Sequence, residues 1–402
     1  MTPPPLQCLR CDRPAEGFGG CRSCAAEGIG VTAMPPLADL TGLDLAGYRG
    51  GPWGLPTALP VPGPPVTLGE GNTPNIRLRQ DPNGGRGGDS GHSDDGGLGD
   101  HGDHREHPPG ELWLKYEGGN PTGSHKDRAM SVGVAAALAS GADTVVAASS
   151  GNAGAAAAAY AARAGVRCVV FTNEAVPAGL RAQIDALGAE RVVHRGTVPE
   201  RNAAMARAVE EHGWYPLTSF SAPSPGGNPY ANEGYKSVAY ELARDFAGRR
   251  IDTVVVPTSR ADLLAGIGRG FRELAAAGLL AGEPRLVAAE PAAAAPYTAA
   301  LRHPERAGQE RTQVVSRRTV AFSLGEERPC WQGLDALWRS GGTARAVDDE
   351  VIMAEHRRLA AEGLLLEPSS AVATAVARQL PVDPGAVVVA IGTATGLKGL
   401  DG

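Results

Sequence analysis

Lysine is scarce in this sequence. Lys and Arg together number 38, and only four of them are lysines: Lys115, Lys126, Lys236 and Lys398. Arg therefore occupies the positions where any cation would serve, which suggests that the remaining lysines do something that a guanidinium cannot do. The sequence also lacks a cluster of basic residues, and this argues against a nucleic-acid partner.

Long apolar runs are absent as well. The apolar stretches are too short or too rich in alanine to span a bilayer, so we expect no membrane partner. The first five residues lack the charged start and apolar run of a signal peptide. With 42% apolar and 20% charged residues, the composition is that of a globular protein, and we expect a cytoplasmic location. The 402 residues suffice for two domains and an appendage.

Two CxxC pairs open the chain. Cys8 and Cys11 are followed, after nine intervening residues, by Cys21 and Cys24. Four thiolates at this spacing suit a tetrahedral Zn²⁺ site, and a reducing compartment disfavours disulfides. Because four protein ligands leave no open coordination position, we predict a structural zinc ribbon. A redox role for the cysteines and nucleic-acid binding by the ribbon are the alternatives.

Residues 80–110 have an unusual composition. They contain ten Gly, four His, six Asp and one Glu against two Arg, so they carry most of the formal charge of −6. A segment with almost no apolar residues cannot bury enough surface to offset its ordering entropy. We therefore predict a disordered insertion. Weak binding of a divalent metal by its histidines and carboxylates is a lesser alternative.

A lysine lies at the junction between a predicted strand and a predicted helix. Residues 111–117 alternate like a strand, and 120–128 form a tight turn with Lys126 just before the alanine-rich helical run 129–138. A partly desolvated amine has a lowered pKa and can form a Schiff base with pyridoxal phosphate (PLP). The alternative is a surface cation beside Asp127.

Strands and helices alternate after this lysine. We predict a strand and glycine turn over 144–154 that open a helix, a strand over 166–172, a helix to Leu187 and a strand near 191–194. This order indicates a parallel, right-handed, doubly wound unit. The glycine turn presents the N–H groups of a helix start, where a substrate carboxylate can bind.

The second half continues the pattern. The strand 251–257 is followed by the turn 258–262 and a helix over 263–277, and Arg260 in this turn is available to pair with a phosphate. Further elements are predicted at 285–290, 319–322, 349–362, from 367 onward and at 386–391.

Seven stretches together carry a family resemblance. They are LGEGNTP (68–74), LKYEGGNPTGSHKDR (114–128), SSGNAGAAAAAYAARAG (149–165), NPYANEGYKSVAYEL (228–242), GIGRGF (266–271), EPSSA (367–371) and TATGLK (393–398). In this order the chain resembles threonine synthase and its relatives, which are PLP enzymes of fold type II with the tryptophan-synthase-β-like fold.

The resemblance implies an α/β fold with two doubly wound α/β domains behind an N-terminal zinc ribbon. The expected ribbon covers 1–33, and the large PLP domain covers 34–130 and 241–402. The smaller α/β domain covers 131–240. A homodimer that acts on an amino-acid substrate is also implied.

The resemblance assigns roles to single residues. Lys126 corresponds to the lysine that forms the Schiff base and later moves protons. Asn152 corresponds to the residue that binds the 3′ oxygen of the cofactor, and Thr393 to the hydroxyl at its pyridine nitrogen. The substrate-binding residues implied are Ser149, Ser150, Gly151 and Ala153, with Lys236 as a further candidate for anionic groups.

Three positions depart from the family pattern. His125 stands where Phe is usual, either as a packed histidine or as an added acid/base group. Ser259, Arg260, Ala261 and Asp262 replace the Gly/Asn-rich loop that binds the cofactor phosphate. The loss of glycines shifts the expected phosphate contacts to Arg260 and Ser259, and we expect Asp262 to cap the following helix. The third departure is Gly399, which replaces Asp.

The resemblance implies the conversion of O-phosphohomoserine and water into L-threonine and phosphate. The alternative is β-replacement or β-elimination on O-phosphoserine, threonine or diaminopropionate in a specialised pathway. A catalytically silent PLP-binding scaffold is the third hypothesis, although it would not need Lys126, Asn152 and Thr393 together.

Overall fold

The computed structural model describes residues 4–15, 17–79, 110–149, 151–174, 176–280, 282–381 and 383–400. The predicted disordered insertion lies outside these ranges except for Gly110, and the predicted substrate residue Ser150 lies outside them too.

The strands are β1 (Leu6–Cys8), β2 (Pro14–Ala15), β3 (Ala33–Met34), β4 (Asn75–Arg77), β5 (Glu111–Tyr116), β6 (Thr144–Ala148), β7 (Arg167–Thr172), β8 (Glu190–Val193), β9 (Tyr215–Pro216), β10 (Thr253–Pro257), β11 (Arg285–Pro291), β12 (Thr343–Val347) and β13 (Val387–Gly392).

The helices are α1 (Arg22–Ala26), α2 (Lys126–Ala139), α3 (Asn152–Ala164), α4 (Ala178–Ala186), α5 (Val198–His212), α6 (Pro229–Asn232), α7 (Lys236–Asp245), α8 (Asp262–Ala276), α9 (Pro296–Ala300), α10 (Arg306–Glu310), α11 (Trp331–Arg339), α12 (Asp349–Ala361) and α13 (Pro368–Arg378).

The larger sheet has six strands in the order β12-β11-β10-β13-β5-β4. All neighbours pair in parallel except β4, which pairs with β5 antiparallel. The valines of β10 are buried on both faces of this sheet. Val254 and Val256 pack in a core with residues of α7 and α8, whereas Val255 packs in a core with residues of α12 and α13. A continuous Val-rich run is typical of a parallel strand covered on both sides.

The smaller sheet has four parallel strands in the order β8-β7-β6-β9. Helix α3 packs against it through alanines, of which Ala155, Ala156 and Ala157 are fully buried. At Gly154 a Cβ atom would lie 3.0 Å from Val170 Cγ1, so a small residue lets this helix approach the sheet. The alanine-rich sequence thus builds a thin, closely packed layer.

The cysteine segment forms a small antiparallel sheet, β2-β1-β3. Phe18 contacts the ring of Tyr215 in β9 at a centroid distance of 4.9 Å. On the other side, Trp331 of α11 packs in one apolar cluster with the cysteines, and its backbone N–H donates to the carbonyl of Gly30. The segment therefore contacts elements that belong to both larger sheets.

The predicted elements are confirmed except for the one at 319–322. Residues 319–322 are irregular, and they serve instead to bind the start of α12, since Thr319 Oγ1 and Val320 N–H both donate to the Asp349 carboxylate. Elements without a predicted counterpart include α5, α9, α10, α11, β9 and β12. Helix α2 begins at Lys126, three residues before the predicted helical run.

The carboxyl ends of the parallel strands lie together, and so do the loops that carry the predicted site residues. Strand β5 leads to Lys126, β6 to Asn152, β10 to the turn 258–262, and β13 directly to Thr393. Open α/β sheets bind ligands at such ends. No helix in the described ranges is long and apolar enough to cross a membrane.

Candidate active site

A cavity of about 730 Å³ lies among these loops. Most residues predicted from the sequence line it: His125, Lys126, Ser149, Gly151, Asn152, Ala153, Ser259, Arg260, Ala261, Asp262 and Thr393. Residues that the sequence analysis did not single out also line it, among them Arg201, Tyr235, Phe322, Glu326 and Glu367. The cavity combines an apolar wall with amine, guanidinium, amide and hydroxyl groups, as small-molecule sites commonly do.

Lys126 is the first residue of α2, and its amine is held in the cavity. Its Nζ donates to the hydroxyl of Tyr235 at 3.1 Å and lies 5.6 Å from the centre of that ring. Burial lowers the pKa of this amine, and the Arg260 charge acts in the same direction, whereas the Asp262 charge opposes it. A lowered pKa increases the fraction of neutral, nucleophilic amine.

His125 precedes this lysine and is fixed by a single carbonyl. Its backbone N–H donates to the carbonyl of Thr393 at 2.9 Å, and its ring Nδ1 lies 3.1 Å from the same oxygen. Because a carbonyl only accepts, we assign the proton to Nδ1. Burial and the charge of Lys126 hold the pKa of His125 well below its usual value. The imidazole is therefore neutral near pH 7, as expected for a packed histidine.

This pKa makes stability depend on pH. Below about pH 6.5 the unfolded chain takes up a proton at His125, whereas the folded protein does not. Because of this residue, the free energy of unfolding falls by about 1.4 kcal/mol for each unit by which the pH is lowered below about 6.5, until the pH reaches the pKa of His125 in the folded protein. We expect His125→Phe to lose this contribution. The free energy of unfolding of the variant, measured between pH 8 and pH 5, should therefore fall less steeply with falling pH than that of the wild type. Parallel pH dependences would contradict it.

Asn152 lies at the start of α3 between two charged groups. Its Nδ2 donates to the Glu367 carboxylate, with 3.1 Å to each oxygen, and its Oδ1 accepts from Lys398 Nζ. Burial raises the pKa of Glu367. The EPSSA stretch pointed to this segment, but nothing in the sequence indicated that Glu367 contacts Asn152.

The turn between β6 and α3 presents polar groups at the helix start. Ser149 Oγ accepts from the N–H of Gly151 at 3.1 Å. Ser149 is buried, and Gly151, Asn152 and Ala153 line the cavity beside it. The free N–H groups of a helix start favour an anion there.

The turn 258–262 keeps a conformation that normally favours glycine. Ala261 has φ +61°, in the left-handed region. The Arg260 Nε donates to Glu326 Oε1 at 2.7 Å, so this guanidinium already has a carboxylate partner at the cavity wall. Since a left-handed non-glycine residue costs roughly 1 kcal/mol, the surrounding packing must hold the turn in this shape.

The prediction that Asp262 caps α8 is wrong. The helix starts at Asp262 itself, and no side chain caps it. The carboxylate turns away and accepts from the N–H of Gly227 at 2.8 Å, from Asn232 Nδ2 at 3.0 Å and from Gln332 Nε2 at 2.6 Å. These three donors lie far away in the sequence, and the carboxylate accepts their hydrogen bonds instead of capping α8. Asp262 thereby joins the turn to the loop before α6.

Thr393 lies directly after β13 and is buried. Its hydroxyl lies 2.8 Å from the Ser370 hydroxyl, and its carbonyl is the acceptor for His125. The side chain therefore has a fixed position at the cavity.

Comparison with known proteins shows the family of this chain. Residues 102–394 match the family model described as pyridoxal-phosphate dependent enzyme. The chain belongs to this family.

Curated relatives of this PLP enzyme are named threonine synthase. The protein from Methanocaldococcus jannaschii is 33% identical over 299 residues, which cover 72% of this chain and 71% of that one. The protein from Halalkalibacterium halodurans is 32% identical over 342 residues, which cover 83% of this chain and 85% of that one. The resemblance seen in the sequence is thus confirmed.

Solved structures confirm the fold. O-ureido-L-serine synthase matches with a TM-score of 0.61 and 26% identity, covering 84% of this chain and 93% of that one. Maize serine racemase matches with a TM-score of 0.61 and 22% identity, covering 72% of this chain and 84% of that one. The α/β architecture of fold type II PLP enzymes is therefore shown.

The cavity of this PLP enzyme fits its cofactor. An aldehyde needs a neutral amine, and Lys126 supplies one with a lowered pKa. A phosphate needs backbone N–H groups that converge on it, and the left-handed turn at Ala261 ends at the N-terminus of α8. Asn152, Thr393 and Ser259 add polar contacts at the same cavity.

Lys236 does not line this cavity, so the structure does not bring the predicted substrate contact to the site. Its side chain is fully buried, and its Nζ pairs with Glu233 at 2.6 Å and Glu273 at 2.9 Å. It also donates to the carbonyl of Ala58 at 2.8 Å. Because two buried carboxylates surround this ammonium, we assign Lys236 to the packing of α7 against α8.

The four cysteines of the N-terminal segment form a cluster whose sulfur atoms lie within 4.8 Å of one another. Cys8 and Cys24 are 3.8 Å apart, and Cys11 and Cys21 are 3.7 Å apart. A tetrahedron with Zn–S bonds of about 2.3 Å places its sulfurs about 3.8 Å apart. The spacing therefore fits a tetrahedral zinc ion.

Proposed function

We propose that the protein is a lyase of the threonine synthase type, which converts O-phosphohomoserine and water into L-threonine and phosphate. The observation that carries the proposal is the amine of Lys126, with its lowered pKa, in one cavity with Asn152 and Thr393. The curated relatives named threonine synthase supply the reaction.

Bound pyridoxal phosphate supplies the electron sink that such a reaction needs. In our proposal Lys126 holds it, and the turn 258–262 at the start of α8 binds its phosphate. Asn152 would donate to its 3′ oxygen, and Thr393 would contact its ring nitrogen.

Lys126 also moves protons in the proposed reaction. Its amine would take one proton from Cα and one from Cβ as phosphate leaves Cγ, and it would return one proton to Cγ and one to Cα while water adds its hydroxyl at Cβ and gives its other proton to the phosphate. The Tyr235 hydroxyl, 3.1 Å away, orients the amine for this transfer. Because His125 is neutral, it adds no second positive charge that would lower the basicity of Lys126 further. General acid–base catalysis of this kind contributes about 10² to 10⁴ in rate.

The start of α3 would bind the substrate carboxylate. Ser149, Gly151 and Ala153 lie there at the cavity, and the resemblance adds Ser150. A carboxylate at a helix start is favoured by unpaired N–H groups and by the helix dipole. This contact would orient Cα toward Lys126.

A second reaction on the same scaffold is the alternative. It is β-replacement or β-elimination on O-phosphoserine, threonine or diaminopropionate. The likeness to O-ureido-L-serine synthase at 26% identity favours it. The Arg260–Glu326 ion pair favours it as well, because this pair belongs to a turn that lacks the glycines of the family's phosphate loop.

The test is turnover by the purified PLP-containing protein. O-phosphohomoserine, O-phosphoserine, threonine and diaminopropionate are supplied separately, and phosphate, threonine, oxo acids and ammonia are assayed. Equal amounts of phosphate and threonine from O-phosphohomoserine alone would support the first reaction. Turnover of only the other amino acids would replace it with the second. A bound cofactor without any turnover would favour the silent scaffold.

The division into a ribbon, a large and a small domain remains a prediction. A homodimer and a cytoplasmic location also remain predictions.

We further propose that the cysteine cluster binds one structural Zn²⁺. We expect about one zinc per chain, and Cys24→Ala to lower this content by more than half because a thiolate ligand is lost. Cys168→Ala, which changes a buried cysteine in β7 outside the cluster, is the matched control. Trp331 packs against the cluster, so its fluorescence should change in the first variant only. Equal zinc content in all three proteins would contradict the assignment.

A further inference from the structure

The side chain of Asn152 lies between opposite charges that come from distant parts of the chain. Lys398, in the turn after β13, donates its Nζ to Asn152 Oδ1 and also to the carbonyl of Thr122 at 2.9 Å. Glu367, the residue before α13, accepts from Asn152 Nδ2. Neither contact belongs to the family pattern stated above.

These charges decide which way the amide points. The oxygen and nitrogen of an Asn amide have nearly the same size, so packing alone permits a half-turn that exchanges them. In this site the half-turn would place the NH₂ group against the Lys398 ammonium and the carbonyl against the Glu367 carboxylate. Both new contacts would be repulsive, and both existing ones are charge-assisted hydrogen bonds. The observed orientation is therefore strongly preferred.

The orientation leaves a donor for the cavity. Nδ2 carries two hydrogens, and the nearly equal distances to both Glu367 oxygens correspond to one shared N–H. The second N–H remains for a partner in the cavity that Asn152 lines. The Oδ1 atom is occupied by Lys398, so Asn152 can act there only as a donor.

We propose that Lys398 and Glu367 are positioning residues that lock Asn152 as a hydrogen-bond donor toward an anionic oxygen of the bound cofactor. The inference rests on the proposed cofactor contact of Asn152. It also gives the fourth lysine of the chain a role.

The two residues have opposite charges, which allows a sharp test. A donor N–H stabilises an oxygen anion, so loss of the donor makes the cofactor hold its proton to higher pH. If Lys398 and Glu367 act by orienting Asn152, removal of either charge raises the pH at which the visible absorption of the bound cofactor changes. If they act only through space, Lys398→Met raises this pH and Glu367→Gln lowers it. Asp127 and His125 also face Lys398, and both stay unchanged in the two variants.

The experiment is a pH titration of the visible spectrum of the PLP-containing protein without substrate. We expect Lys398→Met and Glu367→Gln each to raise the midpoint by about one pH unit, and Asn152→Ala to raise it similarly. In the Asn152→Ala background, Glu367→Gln should give no further rise. Leu397→Met, at a neighbouring side chain that is 65% exposed, is the control and should leave the midpoint unchanged.

A lower midpoint in Glu367→Gln, or unchanged midpoints in both variants, would overturn the proposal. Glu367→Gln preserves the shape of the side chain, so the sign of its shift decides the matter even if Lys398→Met does not fold. Because no substrate is used, failure to convert O-phosphohomoserine would contradict the proposed reaction and not this inference.

Discussion

Lys126→Ala removes the visible absorption of the bound cofactor and lowers turnover by about 10³-fold or more. The amine lies at the start of α2, and no other lysine in the chain lines the cavity, since Lys115 and Lys236 are fully buried in ion pairs elsewhere and Lys398 lies behind Asn152. Neither Ala nor the surrounding hydroxyls can replace a nucleophilic amine that also accepts a proton. The measurement is the spectrum and the rate of product release under the assay described above.

Lys126→Arg is the matched control for charge. It keeps a cation beside Tyr235 and Asp262 but offers a guanidinium that stays protonated. We expect it to be as inactive as Lys126→Ala and to retain the stability of the wild type more closely. Substantial turnover by either variant would remove Lys126 from the centre of the proposed mechanism.

Arg128→Met lowers the free energy of unfolding by about 3–5 kcal/mol, because it leaves the buried Glu117 carboxylate without its cation and leaves Glu241 with Lys115 alone. Arg128 is fully buried, and its guanidinium donates to Glu117 at 2.7 and 2.8 Å and to Glu241 with 2.8 Å to each oxygen. Lys115 pairs with Glu241 at 2.8 Å, and within the described part of the chain it forms no ion pair with Glu117. One cation therefore cannot compensate both anions. Equilibrium unfolding in urea measures the loss.

The control for this loss is an exposed ion pair on the smaller sheet. Arg167 pairs with Glu190, and their side chains are 49% and 54% exposed. We expect Arg167→Met to change stability by at most about 1 kcal/mol. Similar losses in the two variants would mean that the buried cluster contributes no more than a surface pair. Because Arg128 lies two residues after Lys126 in α2, its loss should also reduce cofactor binding.

The parts of the fold that the sequence predicted depend on local patterns. A Val-rich run such as 253–257 or 387–391 and a glycine or polar turn after it indicate a buried parallel strand and its loop, whatever the rest of the chain does. Lys126, Asn152 and Thr393 could therefore be placed together at the carboxyl ends of strands. The resemblance then gave them roles.

The errors concern partners that lie far away in the sequence. Lys236 is predicted to bind anionic groups because the sequence does not show that Glu233 and Glu273 enclose it. Asp262 stands at a helix start, yet its carboxylate accepts from Gly227 and Gln332, which are distant in the sequence. Strand β12 is as long as β10, but its sequence Thr-Ala-Arg-Ala-Val lacks a run of branched apolar residues, so nothing local distinguishes it from a loop.

The burial of the lysines has a consequence for the chemistry of the protein surface. Lys115 and Lys236 are fully buried, and Lys126 and Lys398 are only partly accessible near the cavity. An amine-selective label or cross-linker thus meets no fully exposed lysine side chain, although the surface carries many guanidinium groups. The lysines that such a reagent can approach are those near the bound cofactor, so the extent of labelling would report whether that site is filled.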